Sequence, residues 1–165
     1  MTLPTNNKLM SIRTFLKRKA EFQPGHRLVF TNGCFDILHP GHVDLLQRAR
    51  ALGDGLILGL NSDESVKMLN KGSDRPLNTQ EERAFVLAGL TCVDYIVIFH
   101  ESNPLELIRG VRPQILIKGG DWTPDKIVGR EVVEKAGGKV LSLPLLEGYS
   151  TTAFVERIRT CGTAE

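Results

Sequence analysis

The segment "RLVFTNGCFDILHPGH", residues 27–42, decides the fold because it leads from a buried strand into a helix. Its first half, "RLVFTN", is apolar and β-rich, which predicts a strand covered on both faces. Pro40 suits the first position of a helix, where its fixed φ is favourable and its missing N–H needs no partner. The segment therefore predicts a strand, a short loop and a helix, with His39 just outside that helix and His42 in its first turn.

Four more β-rich runs follow, and segments with helical periodicity separate them. Strands that alternate with helices indicate a parallel sheet covered on both faces. Right-handed crossovers favour the strand order 3-2-1-4-5. We therefore predict an α/β protein with a Rossmann-like, doubly wound sheet of five parallel strands, formed by "RLVFTN", "GLILGLN", "DYIVIF", "QILIKG" and "KVLSLPL".

The chain has 165 residues and 41% hydrophobic content, which is typical of one domain with a substantial core. Residues 8–22 place apolar side chains on one helical face, which predicts an amphipathic leader helix. We divide the chain into this N-terminal leader, residues 1–26, and the main domain, residues 27–165. The stretch 70–78, "NKGSDRPLN", is polar and predicts a mobile loop.

Charge and cysteine content exclude several classes of protein. The formal net charge is only +2, so we expect no nucleic-acid partner and no binding to a membrane surface. The apolar runs are much shorter than the roughly 18 residues that span a bilayer, and no secretory signal is visible, so we expect a cytoplasmic protein. Cys34, Cys92 and Cys161 are widely spaced and odd in number, which indicates reduced thiols.

Two strand ends carry unusual residues, and ligands bind at this edge of a doubly wound sheet. The first strand runs into "TNGCFDILHPGH" and the fourth into "KGGDW", residues 118–122. Backbone N–H groups at a helix start and two imidazole donors form a favourable site for phosphate oxygens. Gly41 lets a phosphate approach the backbone closely. The pattern predicts a phosphate-handling loop.

Other interpretations of the two histidines remain open on these residues alone. An isolated H-x-x-H pair is common by chance, and both side chains could simply cap a helix. A zinc protease needs histidines at i and i+4 with a glutamate between them, which this stretch lacks. The sequence contains neither G-x-x-x-x-G-K-[ST], the motif of P-loop NTPases, nor G-x-G-x-x-G, the motif of the standard dinucleotide-binding fold. Neither class of protein is therefore indicated.

Four motifs in register resemble a known family. They are "FTNGCFDILHPGHVDLLQRARALGDGLILGLNSD", "RPLNTQEERAFVLAGLTCVDYIV", "ILIKGGDW" and "EGYSTTAFVERI", and they extend from about Arg27 to Arg159. In order and spacing they are similar to nucleotidyltransferases with an H-x-G-H motif, the cytidylyltransferase-like superfamily. Within it, the resemblance is strongest to the adenylyltransferases that make ADP-heptose from D-glycero-β-D-manno-heptose 1-phosphate for lipopolysaccharide core synthesis.

The resemblance implies an activity and its partners. ATP and heptose 1-phosphate would be the substrates, with Mg²⁺ as cofactor, and the enzyme would be a homodimer. The stand-alone form is expected, because a sugar kinase domain precedes this domain in bifunctional relatives and the chain has no room for one. Other interpretations are cytidylyl transfer to a polyol phosphate such as glycerol 3-phosphate, adenylyl transfer to FMN, or a non-catalytic nucleotide-binding regulator.

The resemblance also implies roles for individual residues. The catalytic group would be His39, His42 and Lys118. The nucleotide would be bound by Asn32, Gly33, Phe35, Asp36, Gly41, Gly119, Gly120, Asp121, Trp122, Ser150, Thr151 and Thr152. The acceptor sugar phosphate would meet Asn61, Asp63, Lys67, Lys71, Arg75 and Arg83. Mg²⁺ would be held mainly by the ATP phosphates, with Asp36 as the candidate protein ligand.

Several of these residues have simpler explanations. Lys67 and Lys71 could be solvated surface charges, Ser150 could be a plain helix cap, and Trp122 could cover the sheet end. We assign Cys34 to packing. The segment "LPLLEGYSTT" departs from the glycerol-phosphate cytidylyltransferases, because Leu145 replaces their arginine. This departure favours ATP over CTP.

Overall fold

The computed structural model describes residues 6–69, 75–120 and 122–161. Five parallel strands form one sheet in the order β3-β2-β1-β4-β5. This arrangement confirms the predicted fold and strand order. The strands are β1 (Leu28–Gly33), β2 (Gly55–Asn61), β3 (Tyr95–Phe99), β4 (Ile115–Gly119) and β5 (Lys139–Leu143).

Helices connect the strands. The crossover from β1 to β2 contains α2, whose first residue is Pro40 as the sequence predicts, and α4 begins with a complete capping box between Thr79 and Glu82. In the described ranges the helices are α1 (Ile12–Lys19), α2 (Pro40–Arg50), α3 (Asp63–Met68), α4 (Gln80–Ala88), α5 (Leu105–Val111), α6 (Arg130–Lys135), α7 (Thr151–Cys161) and a 3₁₀ turn (Pro124–Lys126).

The sheet separates two hydrophobic clusters. Along β2, Leu56, Leu58 and Leu60 pack with residues of α2 and α4, whereas Ile57 packs with residues of α1 and α5 on the other face. Every residue of β2 is buried, which is the pattern of a central strand covered on both sides. The alternation of side chains along β2 fixes the register of this strand in the sheet. It therefore also fixes where the polar residue at the carboxyl end of β2 lies relative to the neighbouring strands.

The leader segment differs from its prediction at the first turn. The helix begins at Ile12, after the N-cap Ser11, and not near residue 8. The preceding residues extend beside β3: the Met10 N–H donates to the Ile96 carbonyl at 3.0 Å, and the Ile96 N–H donates to the Lys8 carbonyl at 2.8 Å. Tertiary pairing with the edge of the sheet therefore replaces helical hydrogen bonds that the periodicity alone would favour.

The leader helix packs on the core at the end of the sheet remote from the β1–α2 loop. Phe15 is fully buried in one of the two clusters, and the Lys19 ammonium donates to the carbonyls of Val111 and Arg112 at the end of α5. In the described part of the chain, no helix combines the length and the apolar character needed to span a bilayer.

Candidate active site

A cleft of about 580 Å³ opens at the carboxyl ends of β1 and β4. It brings together three segments that are far apart in sequence: the loop and helix start after β1, the end of β4, and the start of α7. The sequence-predicted residues that line it are Asn32, Gly33, Phe35, Asp36, His39, Gly41, His42, Arg75, Lys118, Gly119, Trp122, Ser150, Thr151 and Thr152.

The two histidines of the motif stack on each other. Their ring centroids are 3.8 Å apart with an interplanar angle of 21°, and the His42 ring also lies 5.0 Å from the ring of Phe35. His39 occupies the N-cap position of α2, but its side chain makes no capping hydrogen bond. The His39 imidazole therefore does not cap the helix, which was one of the simpler interpretations.

His39 has the properties expected of a group that awaits a ligand. Its Nδ1 is buried and has no hydrogen-bond partner among the described residues, although buried polar atoms are normally paired. Burial also lowers the pKa of His39 below its ordinary value of 6.5, because desolvation penalises the imidazolium. At neutral pH the ring is therefore an uncharged donor and acceptor whose hydrogen bonding a phosphate could complete.

A left-handed backbone conformation at Phe35 shapes the loop before the histidines. Its φ is +47°, which is unusual for an aromatic residue. The Phe35 ring folds back so closely over Gly33 that a Cβ at that glycine would lie 2.8 Å from it. Gly41 has a similar steric role, since a Cβ there would meet the His39 ring at 3.2 Å and Tyr149 at 3.3 Å. Small residues thus allow the histidines and the start of α7 to approach one another.

The start of α7 forms the opposite wall. The Ser150 hydroxyl accepts a hydrogen bond from the Ala153 backbone N–H at 3.0 Å, so Ser150 is the side-chain cap of this helix. Thr151 and Thr152 begin the helix and also line the cleft. Helix capping and phosphate binding are compatible here, because the hydroxyl groups and the first-turn N–H groups lie at the same helix end.

The end of β4 supplies a cation beside an aromatic ring. The Lys118 ammonium lies 6.0 Å from the centre of the Trp122 ring. Gly119 is required by packing, since a Cβ there would lie 2.6 Å from Leu45 and 2.9 Å from Leu145. Leu145 therefore covers this glycine and lines the cleft. Gly120 follows with a φ of +109°, and Asp121 lies outside the described residues.

Comparison with known proteins identifies the family that has this arrangement. Residues 30–157 match the model of the family described as cytidylyltransferase-like. The chain belongs to the cytidylyltransferase-like family. This family consists of nucleotidyltransferases, and the chain carries its nucleotidyltransferase domain.

Two relatives share more than half of their aligned residues with this cytidylyltransferase-like chain. The bifunctional protein HldE of Geotalea uraniireducens is 58% identical over 142 residues, which is 86% of this chain and 29% of that protein. The protein of the same name from Syntrophotalea carbinolica is 55% identical over 148 residues, which is 90% of this chain and 30% of that protein. The chain thus spans less than a third of the length of these relatives.

Solved structures agree with the fold. The lipopolysaccharide core biosynthesis protein from Thermoplasma volcanium is 27% identical, with a TM-score of 0.60 over 76% of this chain and 100% of that chain. The pantoate-beta-alanine ligase from Francisella tularensis has a TM-score of 0.57 over 92% of this chain and 76% of that chain. Its identity of 15% supports a common fold alone.

Asp36, a predicted nucleotide or metal ligand, binds the protein itself. One carboxylate oxygen accepts from the Arg75 guanidinium at 2.7 Å, and the other accepts from the backbone N–H groups of Leu77 and Asn78 at 2.8 and 3.0 Å. The Asp36 side chain is only 4% exposed. Both oxygens are therefore engaged in holding the segment 75–78 against the loop after β1, which leaves Asp36 poorly suited to a metal.

The described residues offer no alternative protein site for a metal ion. Among residues 6–69, 75–120 and 122–161, no group of three or more histidine, cysteine or acidic side chains is placed to hold one. The cleft is lined by two histidines, a lysine, an arginine and hydroxyl groups, which suit phosphate oxygens, and its one described carboxylate, Asp36, is bound by Arg75, Leu77 and Asn78.

Arg83 was predicted to contact the acceptor phosphate, but the structure places it inside the protein. Its side chain is 0% exposed and does not line the cleft. The guanidinium donates to the Cys34 carbonyl at 2.6 Å, the Asn78 carbonyl at 3.1 Å and the Asp63 carboxylate at 2.7 Å. Arg83 thus joins three segments around the site, and the Asp63 carboxylate is one of its partners.

The other predicted acceptor residues are dispersed. Asn61 is 3% exposed and donates through its Nδ2 to the Ser65 hydroxyl at 2.8 Å. Lys67 is exposed on α3 and does not line the cleft. Of the predicted acceptor group, Arg75 lines the cleft, and Lys71 lies outside the described residues. The structure does not bring the five described members of this group together as one subsite.

Proposed function

We propose that the protein transfers AMP from ATP to D-glycero-β-D-manno-heptose 1-phosphate, releasing ADP-heptose and pyrophosphate, as a step of lipopolysaccharide core synthesis. The observation that carries this proposal is the stacked pair His39 and His42, with a buried, unpartnered His39 Nδ1, at the carboxyl edge of the sheet. The name of the Thermoplasma volcanium structure supports the pathway, and the resemblance of the four sequence motifs supports the heptose acceptor.

The chemistry requires no covalent intermediate with the protein. A phosphate monoester has a second pKa near 6, so an oxygen of the sugar 1-phosphate is already ionised at neutral pH. It attacks the α-phosphorus of ATP, a new P–O bond forms, and the bond from the α-phosphorus to the bridging oxygen breaks. Pyrophosphate leaves with that electron pair. No general base is needed, which agrees with the absence of a nucleophilic triad from the described cleft residues.

The protein contributes alignment and neutralisation of charge. His39 and His42 donate hydrogen bonds to the α-phosphate oxygens, where charge develops in the transition state. Ser150, Thr151 and Thr152 bind the β- and γ-phosphates at the capped start of α7. Lys118 adds a positive charge at the end of β4. A magnesium ion held by the ATP phosphates would neutralise part of their charge.

Leu145 supports ATP as the donor. It lines the cleft beside Gly119, and a leucine there offers neither the charge nor the hydrogen bonds of the arginine found in glycerol-phosphate cytidylyltransferases. An apolar wall at this position suits the adenine ring, which presents a larger aromatic surface than cytosine.

Pyrophosphate release tests the proposal. Purified protein with Mg²⁺ would be supplied with ATP, CTP or GTP and, in turn, with β- or α-heptose 1-phosphate, glycerol 3-phosphate or FMN. We expect release with ATP and the β-heptose phosphate. Release with another pair would support nucleotidyl transfer but assign different substrates. No release with any pair would support the alternative, a non-catalytic nucleotide-binding regulator. His42→Asn protein is the control for contaminating activity.

A further inference from the structure

A second cavity of about 310 Å³ adjoins the first and contains polar groups that the proposed mechanism does not use. Five residues line both cavities and form a common wall: Asn32, Gly33, Cys34, Lys118 and Trp122. Beyond this wall, the second cavity extends to the loop after β3 and the 3₁₀ turn after β4. Its remaining polar side chains are Asn61, Ser102, Asn103 and Lys126.

In-line displacement assigns the two cavities different occupants. The attacking oxygen and the leaving oxygen lie on opposite sides of the phosphorus. The start of α7, where the leaving pyrophosphate would lie, borders only the first cavity, while Lys118 and Trp122 border both. With the α-phosphate beside this common wall, the acceptor approaches from the second cavity.

The chemistry of the lining points to an anionic, hydroxyl-bearing ligand. Lys118 and Lys126 are its charged side chains, and no carboxylate is present among the described residues that line it. The Asn103 Oδ1 accepts from the Leu105 backbone N–H at 3.0 Å, which leaves the Nδ2 group of that carboxamide as the ligand donor. The volume is near the lower end of the roughly 300–1,000 Å³ typical of small-molecule pockets, which suits a monosaccharide phosphate.

We infer that this second cavity is the acceptor pocket, in which Lys126 and Asn103 bind the sugar phosphate and Trp122 covers its apolar face. The inference rests on the proposed function. It places the acceptor in a site different from the group around Lys67 and Arg83 that the sequence predicts. Lys126 is exposed on the 3₁₀ turn and lines this cavity. Ser102 and Asn61 add a hydroxyl and an amide oxygen for sugar hydroxyl groups.

Two variants test the assignment without disturbing the fold. Lys126→Ala removes an exposed ammonium, and the turn retains its backbone hydrogen bond from the Lys126 N–H to the Thr123 carbonyl at 2.9 Å. Asn103→Asp keeps an oxygen to accept from the Leu105 N–H but replaces the amide donor with a negative charge. Lys135→Ala, on the exposed face of α6, is the matched control.

The measurements separate acceptor from nucleotide. We expect Lys126→Ala and Asn103→Asp to raise the KM for the acceptor about 10- to 100-fold, as the loss of a charge-assisted hydrogen bond predicts, with the KM for ATP within about twofold of wild type. Equal increases in both KM values, or an effect at Lys67→Ala with none at Lys126→Ala, would overturn the inference.

A direct binding experiment keeps this test independent of turnover. Trp122 is the single tryptophan of the chain and lines the second cavity, so its fluorescence reports occupancy. Heptose 1-phosphate, glycerol 3-phosphate and FMN would each be titrated with α,β-methylene-ATP present. Binding that weakens in both variants supports the pocket even if wild type releases no pyrophosphate, an outcome that would reject only the proposed function. No fluorescence change with any of the three, or equal binding by variants and wild type, would reject the pocket.

Discussion

The carboxylate of Asp36 and the guanidinium of Arg75 form a 2.7 Å ion pair that is almost closed to solvent, with side-chain exposures of 4% and 15%. The same carboxylate accepts two backbone N–H groups from the segment that follows Arg75. Asp36 is therefore a positioning residue, which holds Arg75 at the cleft wall.

Replacing Asp36 tests this role against metal binding. Asp36→Asn retains an oxygen acceptor but loses the charge that pairs with Arg75, so we expect the free energy of unfolding to fall by about 2 kcal/mol, as for hydrogen bonds to charged groups. Urea denaturation measures this change. Unchanged stability combined with a raised Mg²⁺ requirement for turnover would instead identify Asp36 as a metal ligand.

Arg83 distinguishes a structural cation from a ligand-binding one. Arg83→Lys cannot reach three acceptors at once, and a buried charge that loses partners is costly, so we expect a loss of about 3 kcal/mol in stability. Thermal and urea denaturation would measure it. A variant that folds as stably as wild type but binds the acceptor poorly would restore Arg83 to the acceptor site.

The stacked histidines should act mainly on the chemical step. We expect His39→Gln and His42→Asn each to lower kcat by about 10²- to 10³-fold, because each removes a donor to the charge that develops on the α-phosphate. Steady-state pyrophosphate release gives kcat, and circular dichroism checks the fold. Turnover at the wild-type rate in either variant would contradict the assigned role.

The lowered pKa of His39 predicts a pH-dependent stability. Folding disfavours its imidazolium, so the unfolded chain binds more protons once the pH falls below 6.5, and stability decreases from there down to the folded-state pKa. We expect His39→Gln to lose less free energy of unfolding than wild type between about pH 7.5 and pH 5. If the free energy of unfolding changed with pH by the same amount in wild type and in His39→Gln, burial would not be what holds His39 uncharged.

Leu145 should influence the choice of nucleotide. Since it lines the cleft and is 47% exposed, Leu145→Arg fits without disrupting the core. We expect the ratio of kcat/KM for CTP to that for ATP to rise at least about tenfold, the effect of one hydrogen bond from a charged group. Val86→Arg, on α4 at a side chain that is 52% exposed and does not line the cleft, is the control. Equal ratios in both variants would remove position 145 from nucleotide selection.

The regular parts of the fold were predictable because local patterns agree with the tertiary structure. Each of the five apolar runs is a strand, and Pro40 begins α2. The leader helix was predicted too long because its first residues pair with β3, and periodicity does not reveal pairing between distant segments. This is the ordinary limit of sequence periodicity, which reports local preference only.

The segments that meet at the cleft were predictable because each carries its polar residues close together in a short motif. The H-x-G-H segment, the end of β4 and the start of α7 all line one cleft. Arg83 and Asp36 were harder, because a buried ion pair and a phosphate site require the same residue types. Only their distant partners, such as the Cys34 carbonyl and the Leu77 N–H, distinguish the two roles.

The leader helix has a consequence for the limits of the folding unit. Phe15 fills the same cluster as Phe30 of β1 and Ile108 of α5, and Lys19 closes the end of α5. A chain shortened to begin at Arg27 would therefore open a large apolar surface to water on one side of the sheet. We therefore expect this helix to unfold together with the sheet. The smallest piece of the chain that folds without aggregation begins well before β1.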